Sequence, residues 1–236
     1  MKSIKHILAL ASLAAVALAY SVDRTHATAE YVYKKGEYLV VRDGYAPNKK
    51  FSIASHGDGE FNENFHVYLM AEPAHTKIAP LDDIRSGNTL DTAPQAYRAA
   101  WSADSRHVAV SFRSNRHVLE TNLYRIQNRG AHLISGPALF VAATDRSTRL
   151  LGDDMRVKGT AITWSSPTRF TLTEQSVFMT TSPDLARALG AYGKQVDKYK
   201  TDDKYYVEFA AEADCELISG DRYRIVKLKP AQFEHY

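Results

Sequence analysis

Residues 101–110 read W-S-A-D-S-R-H-V-A-V, and residues 164–172 read W-S-S-P-T-R-F-T-L. Aligned on their tryptophans, the two blocks match again at Arg106 and Arg169. Each block runs from an aromatic residue through small and polar turn residues into the alternating apolar pattern of a β-strand. A block that occurs twice indicates an internal repeat, and an internal repeat constrains the architecture before any single residue is interpreted.

A weaker copy of the block begins at Gly44, where an aromatic residue, a turn and basic residues again lead into an alternating strand over residues 44–53. Tyrosine-centred strands follow in each unit, at residues 66–70, 122–126 and 222–228. The chain therefore divides into three units of roughly 60 residues, each with a few short strands joined by hairpins, as propeller blades repeat.

The block at 101–110, followed by a polar hairpin and N-L-Y-R-I, resembles the blade motif of TolB-type periplasmic β-propellers, a WD-repeat-like family. In those blades W-S-P-D-G-x-x-I-A-F precedes a loop and an I-Y strand. The match is best over residues 101–126, and the family's Asp-Gly turn is replaced in both blocks. The resemblance implies a mainly β fold, a propeller-like stack of about three to four small antiparallel sheets. A β-sandwich is the alternative, because closed propellers have about four to eight blades.

One helix is predicted near residues 182–199, inserted into the third unit and docked on the sheets. Ser182 suits the N-cap and Pro183 suits the first helical position. Apolar side chains then recur at helical spacing on one face. They are Leu185, Leu189, Tyr192, Val196 and Tyr199.

The first 19 residues predict an export signal. A basic start precedes the apolar run at 7–16, and Ala17-Leu18-Ala19 provides the small residues that signal peptidase recognises. A second such pattern allows cleavage as late as residue 29, and an uncleaved anchor is the alternative. The apolar run is shorter than the about 20 residues of a membrane helix. We expect no stable span after cleavage, a single β-rich repeat domain at 30–236, and a periplasmic or secreted protein.

Charge and cysteine content exclude several classes of function. The chain has 30 Lys and Arg against 27 Asp and Glu, and these charges are interspersed, so a nucleic-acid partner is not expected. The single cysteine, Cys215, cannot form an internal disulfide. The acids on either side of Cys215 are expected to raise its pKa, so we interpret it as a half-buried strand cysteine and not as a nucleophile.

Linear motifs for catalysis are absent from the sequence. It contains no G-x-S-x-G, no H-E-x-x-H and no phosphate-binding glycine loop. Oxygen side chains alternate over residues 58–64, as in a calcium loop, but the glycine at the sixth position and the distal glutamate are missing. We therefore predict no catalytic residue, no cofactor and no metal, and interpret 58–64 as a hairpin loop.

Two hairpins, at residues 56–64 and 113–120, are predicted to project from corresponding ends of neighbouring sheets. Loops on a rigid scaffold are where binding residues concentrate, and arginine beside histidine suits an anionic ligand. Strand-edge charges that discourage aggregation are the alternative. The residues assigned to these candidate binding loops are His56, Asp58, Glu60, Arg113 and Arg116.

The sequence is thus expected to encode an exported, non-catalytic binding or scaffold module of the bacterial cell envelope. Its partner would be another envelope protein or an anionic surface ligand. The alternative is a secreted hydrolase whose catalytic groups converge from separate blades, since such a site would leave no linear motif.

Overall fold

The computed structural model describes residues 30–58, 65–81, 84, 91–115, 117–127, 130–144, 155–181, 184–201 and 204–233. The predicted signal at 1–19 lies outside these residues. Three successive groups of strands follow, each a four-stranded antiparallel meander. The first unit contains β1 (Leu39–Tyr45), β2 (Phe51–His56), β3 (His66–Ala71) and β4 (Thr76–Pro80).

The second unit contains β5 (Arg98–Trp101), β6 (His107–Asn115), β7 (Val118–Gln127) and β8 (Gly130–Ile134). The third unit contains β9 (Met155–Trp164), β10 (Arg169–Thr180), β11 (Gly193–Thr201), β12 (Lys204–Ile218) and β13 (Arg222–Pro230). Its meander is β9-β10-β12-β13, and β11 is an inserted strand that pairs with the first half of β12. The helices are α1 (Leu139–Thr144) and α2 (Asp184–Leu189).

The prediction of a mainly β chain is confirmed, but the three units are not separate sheets. A parallel pair between Arg42 and Arg98 joins β1 to β5, and a short parallel contact joins β7 to β9. The strands therefore form one 13-stranded mixed sheet whose order runs from β11 to β4. Within the described residues this sheet does not close on itself.

The hairpin that carries the repeated block recurs in all three units. In each unit the first strand ends on an aromatic residue, and the turn after it is closed by a backbone hydrogen bond. These bonds are Ala46 N–H to Phe51 O at 2.9 Å, Ser102 N–H to His107 O at 2.9 Å, and Ser165 N–H to Arg169 O at 3.0 Å. The first two turns also share a left-handed residue, Lys49 at φ 55° and Ser105 at φ 60°. The weak first copy is therefore a true structural repeat.

The predicted equivalence of Arg106 and Arg169 is wrong by one residue. The turn in the third unit has one residue fewer, and in it the Ser166 hydroxyl accepts the N–H groups of both Thr168 and Arg169 at 3.3 and 3.0 Å. The closing hydrogen bonds show that the structural counterpart of Arg169 is His107.

Two tryptophans join consecutive units by the same contact. The Trp101 indole N–H donates to Gly44 O at 3.0 Å, and the Trp164 indole N–H donates to Ala100 O at 2.9 Å. Each acceptor is the residue just before the terminal aromatic of the preceding unit, Tyr45 in the first case and Trp101 in the second. Each of the second and third units is therefore joined to the unit before it by the same indole–carbonyl hydrogen bond.

The apolar core lies on both faces of the second unit. Val108 and Val110 of β6 belong to a cluster shared with the first unit, which includes Ile53 and Leu69. Ala109, between those two valines, faces the opposite way into a second cluster. This alternation is the period-2 pattern of a strand that is buried on both sides. The second cluster contains Leu123, Leu139, Phe140, Phe170, Phe178, Phe209 and Cys215.

The predicted helix at 182–199 is wrong beyond Leu189. The chain forms α2, then a single 3₁₀ turn at Gly190–Tyr192, and then the strand β11. Gly190 adopts φ +55°, the left-handed conformation that ends many helices. Pairing of β11 with the edge of β12 then replaces the remaining helical turns. The predicted cap residues Ser182 and Pro183 lie outside the described residues.

Candidate functional site

His56, the last residue of β2, and Asp58, two residues later, belong to the first of the predicted binding loops. The His56 ring is buried, its Nε2 lies 3.1 Å from Asp58 Oδ1, and its Nδ1 lies 2.5 Å from Glu37 O. The ring also stacks on Tyr38 with centroids 4.4 Å apart. The Asp58 side chain is 56% exposed. The histidine is therefore held inside the fold, whereas the carboxylate reaches solvent.

Arg113, near the end of β6, pairs with an acid that the sequence analysis did not single out. Its Nε lies 2.8 Å from Asp91 Oδ2, and the Asp91 side chain is only 3% exposed. The Tyr97 hydroxyl donates to the backbone carbonyl of the same aspartate. This arginine thus pairs with a buried carboxylate, which is a structural role inside the fold.

Tyr33 links the two predicted loops. Its hydroxyl lies 2.6 Å from Ser55 Oγ and donates to Thr92 O at 2.6 Å, and burial raises the pKa of this phenol. Its ring lies 5.9 Å from the His56 ring, and Thr92 directly follows the aspartate that pairs with Arg113. Tyr33 and the segment at 91–92 therefore connect the end of β2 with Arg113 near the end of β6. Glu60 and Arg116 lie outside the described residues.

Replacing Arg113 by alanine is expected to lower the free energy of unfolding by about 2 kcal/mol, because it removes the guanidinium from the buried Asp91 carboxylate. Arg98→Ala is the matched control, since Arg98 pairs with Asp43 between side chains that are 38% and 55% exposed. Its expected cost is below about 1 kcal/mol. Urea denaturation of both variants checks the difference, and equal costs would show that burial of the acid is unimportant.

Ser52, Glu72 and His75 have the composition of a hydrolase triad but not its geometry. The Ser52 hydroxyl donates to Glu72 Oε1 at 2.6 Å, and His75 Nδ1 lies 2.7 Å from the same oxygen. The other ring nitrogen of His75 lies 2.9 Å from Tyr38 O. A catalytic histidine must lie between the serine and the acid. Here the acid lies in the middle, so the group ties β2 to the β3–β4 turn and activates no nucleophile.

A buried carboxylate on β10 was missed by the sequence analysis. Glu174 is 8% exposed and accepts the backbone N–H groups of Leu139 and Phe140 at the start of α1. Burial raises its pKa, while the charge of Lys158 and these hydrogen bonds oppose the shift. Strand alternation from Phe170 already places position 174 on the apolar face, and this signal could have identified it. Its contacts indicate an anchor for α1.

The structure contains a cavity of about 370 Å³ beside the first residues of β11. Glu208, which is 7% exposed, lines it together with Lys194, its cross-strand neighbour. The rest of the lining is Ala191, Tyr192, Gly193, Ala210, Ala231, Gln232 and Phe233. Of the predicted binding residues that the structure describes, His56, Asp58 and Arg113, none lines this cavity.

Cys215 is buried in the core on β12, more deeply than the half-buried position predicted for it. Burial and the neighbouring Asp214 raise the pKa of its thiol to about 12. We expect iodoacetamide to alkylate the native protein at pH 8 about 100-fold more slowly than the protein unfolded in urea. Mass spectrometry gives both rates for this single cysteine. Equal rates would mean that the thiol is accessible.

Comparisons with known proteins identify no relative. No protein-family model matches the chain, and no curated protein or solved structure matches it significantly. Among the described residues, no group of three or more His, Cys, Asp or Glu side chains is arranged to hold a metal ion. None of the described helices is long and apolar enough to cross a membrane.

Proposed function

We propose that this chain is an exported, non-catalytic binding module of the bacterial cell envelope, built from three blade-like units that join in one sheet. The observation that carries the proposal is the repeated contact of Trp101 with Gly44 and of Trp164 with Ala100. Because the same contact joins successive units, it supports a scaffold in which equivalent hairpins lie at corresponding ends of the units. The buried polar groups near His56 and Arg113 hold this scaffold together, which leaves binding to the outer parts of the loops.

The proposed binding surface is the outer part of the hairpins at 56–64 and 113–120. Asp58 and His117 are exposed there, and Glu60, Arg116 and the other residues of 59–64 complete the loops in sequence. The mixed charge of these two stretches suits a polar partner, such as an acidic envelope protein or an anionic surface ligand.

Binding of dextran sulfate, an anionic polysaccharide, tests the proposal with the exported protein. Arg116→Ala is compared with Arg106→Ala, which removes the same charge from the exposed turn at the opposite end of β6. We expect Arg116→Ala to weaken binding at least about 5-fold and Arg106→Ala less than about 2-fold. Biolayer interferometry at two salt concentrations measures both.

The same comparison is made with envelope extract, where a protein retained by wild type and lost with Arg116→Ala would identify a protein partner. Equal effects of the two substitutions on both ligands would contradict the assigned surface. A screen with ester, peptide and glycoside substrates tests the non-catalytic part. Turnover that survives purification and is abolished by one His or Asp substitution would overturn it.

A further inference from the structure

Two histidines of the first unit bind consecutive carbonyls of the N-terminal segment, residues 31–38. His56 Nδ1 lies 2.5 Å from Glu37 O, and His75 Nε2 lies 2.9 Å from Tyr38 O. The histidines come from different places in the chain, the end of β2 and the β3–β4 turn. Together they hold the last two residues of the segment where it enters β1.

The second nitrogen of each histidine faces a carboxylate. His56 Nε2 lies 3.1 Å from Asp58 Oδ1, and His75 Nδ1 lies 2.7 Å from Glu72 Oε1. All four partners are therefore hydrogen-bond acceptors. A neutral imidazole carries a single N–H, so only the doubly protonated ring can donate to a carbonyl and a carboxylate at once.

The segment that these rings hold covers apolar surface on the outer face of the first unit. Tyr38 packs against the buried cluster of Ala54, Tyr68 and Met70. Its ring lies 4.4 Å from the His56 ring and 5.4 Å from the Tyr68 ring. Movement of residues 37–38 would therefore uncover this face.

We propose that His75, placed between the Tyr38 carbonyl and the Glu72 carboxylate, forms a pH-sensitive clamp, which holds the end of the N-terminal segment on the first unit in mildly acidic solution and loosens it as the pH rises. An exported protein experiences the pH of its surroundings, so the clamp would couple that pH to the exposure of the Tyr38 face. When the His75 ring loses its second proton, it must give up the Tyr38 carbonyl or the Glu72 carboxylate.

The pKa shifts of the second pair agree with this direction. The Glu72 hydrogen bond and the Tyr38 carbonyl raise the pKa of His75 above its ordinary value near 6.5. Its stabilising effect is complete below that value and is lost as the pH rises through the higher folded pKa. Burial acts to raise the pKa of Glu72, but hydrogen bonds from Ser52 and His75 outweigh it and lower the value. The contribution of Glu72 is therefore lost only in more acidic solution.

The other titratable and charged side chains near the two histidines are tyrosines or make contacts of their own. Tyr33 and Tyr68 lie 5.9 and 6.4 Å from the His56 ring. His66 is the cross-strand partner of His56, and its own ring lies 5.8 Å from Tyr68. The Glu37 carboxylate accepts from the Tyr31 hydroxyl, and Lys77 lies over the Tyr68 ring at 5.2 Å. The carboxylates of Asp58 and Glu72 are thus the charged partners that bond the two rings.

Hydrogen exchange of a peptide covering residues 31–45 tests the clamp. The Glu37 N–H, bonded to Lys34 O at 3.0 Å, and the Lys34 N–H, bonded to Glu37 Oε2 at 3.0 Å, lie within this peptide. After correction for the intrinsic rate, we expect protection in the wild type to fall at least about 10-fold between pH 5.5 and 8.5. Protection of a β12 peptide, measured in the same digest, should change less than about 2-fold, which separates local loosening from global unfolding.

The His75→Gln variant should lose most of the pH dependence, because glutamine keeps a donor but does not titrate in this range. His132→Gln, at an exposed position on β8, should retain it. His75→Gln must reduce the pH effect at least about 3-fold. Unchanged wild-type protection, or a pH effect that survives His75→Gln, would overturn the clamp.

Discussion

Replacing Phe140 by alanine is expected to lower the free energy of unfolding by about 4 kcal/mol, the largest effect we anticipate. Phe140 has no exposed surface, and its ring meets those of Phe178 at 5.8 Å and Phe209 at 5.1 Å. The substitution would leave a cavity between α1 and two strands of the third unit. Urea denaturation followed by tryptophan fluorescence measures the change.

Val141→Ala is the matched control, because Val141 is the next residue of α1 and is 39% exposed. Its expected cost is below about 1 kcal/mol. A cost for Phe140→Ala that does not exceed that of Val141→Ala would show that α1 does not dock on the sheet through this ring.

Replacing Trp101 by alanine is expected to cost about 3 kcal/mol. The loss combines the contact of the half-buried indole with the first core cluster and its hydrogen bond to Gly44 O. Trp101→Phe keeps most of the apolar contact but removes the donor, so its expected cost is nearer about 1 kcal/mol. Equilibrium unfolding in urea provides both values.

The equivalent tryptophan of the third unit, Trp164, provides a second test of this prediction. Because Trp164 makes the same contact with Ala100, Trp164→Ala and Trp164→Phe should show the same order of effects. A cost of less than about 1 kcal/mol for either alanine variant would show that this ring is not part of the core. Opposite orders at the two positions would contradict the equivalence of the units.

The hairpins were predictable from the sequence because their signals are local. An aromatic residue, a turn rich in serine and aspartate, and an alternating strand occupy few residues, and hydrogen bonds close the turn within that stretch. The first copy, around Tyr45, was weak in sequence but has the same closing bond and the same left-handed turn residue as the second. Backbone geometry is thus repeated more faithfully than side chains.

The helix prediction was wrong because two interactions compete for the same residues. Spacing of apolar residues over 185–199 fits a helix, but Gly190 ends the helix after six residues, and the unpaired edge of β12 offers hydrogen bonds to the strand that follows. Helical propensity is a weak preference that such tertiary pairing readily overrides. The alignment of Arg106 with Arg169 was wrong because the turn in the third unit has one residue fewer than the turn in the second. The missing residue shifts the alignment of every later position by one.

The candidate site was predictable only in part. The internal repeat predicted that His56 and Arg113 belong to equivalent hairpins. The structure links the two residues through Tyr33 and the segment at 91–92. That segment precedes β5 and has no periodic pattern, so its buried aspartate could not be assigned to Arg113 beforehand. The contacts of His56 and His75 with the N-terminal segment could not be predicted either, because every residue has a backbone carbonyl and the sequence does not indicate which one a histidine will bind.

By itself, the sequence determined the β class, the repeated hairpins and their division into three units, since these depend on turn chemistry and on alternation within short stretches. Tertiary structure alone decided that the units join edge to edge in one sheet, that residues 193–201 form a strand, and which acid or carbonyl His56, His75 and Arg113 meet. The reason is physical: hydrogen bonds and burial between residues far apart in the chain depend on its complete folded path, whereas a turn depends on only a few neighbours.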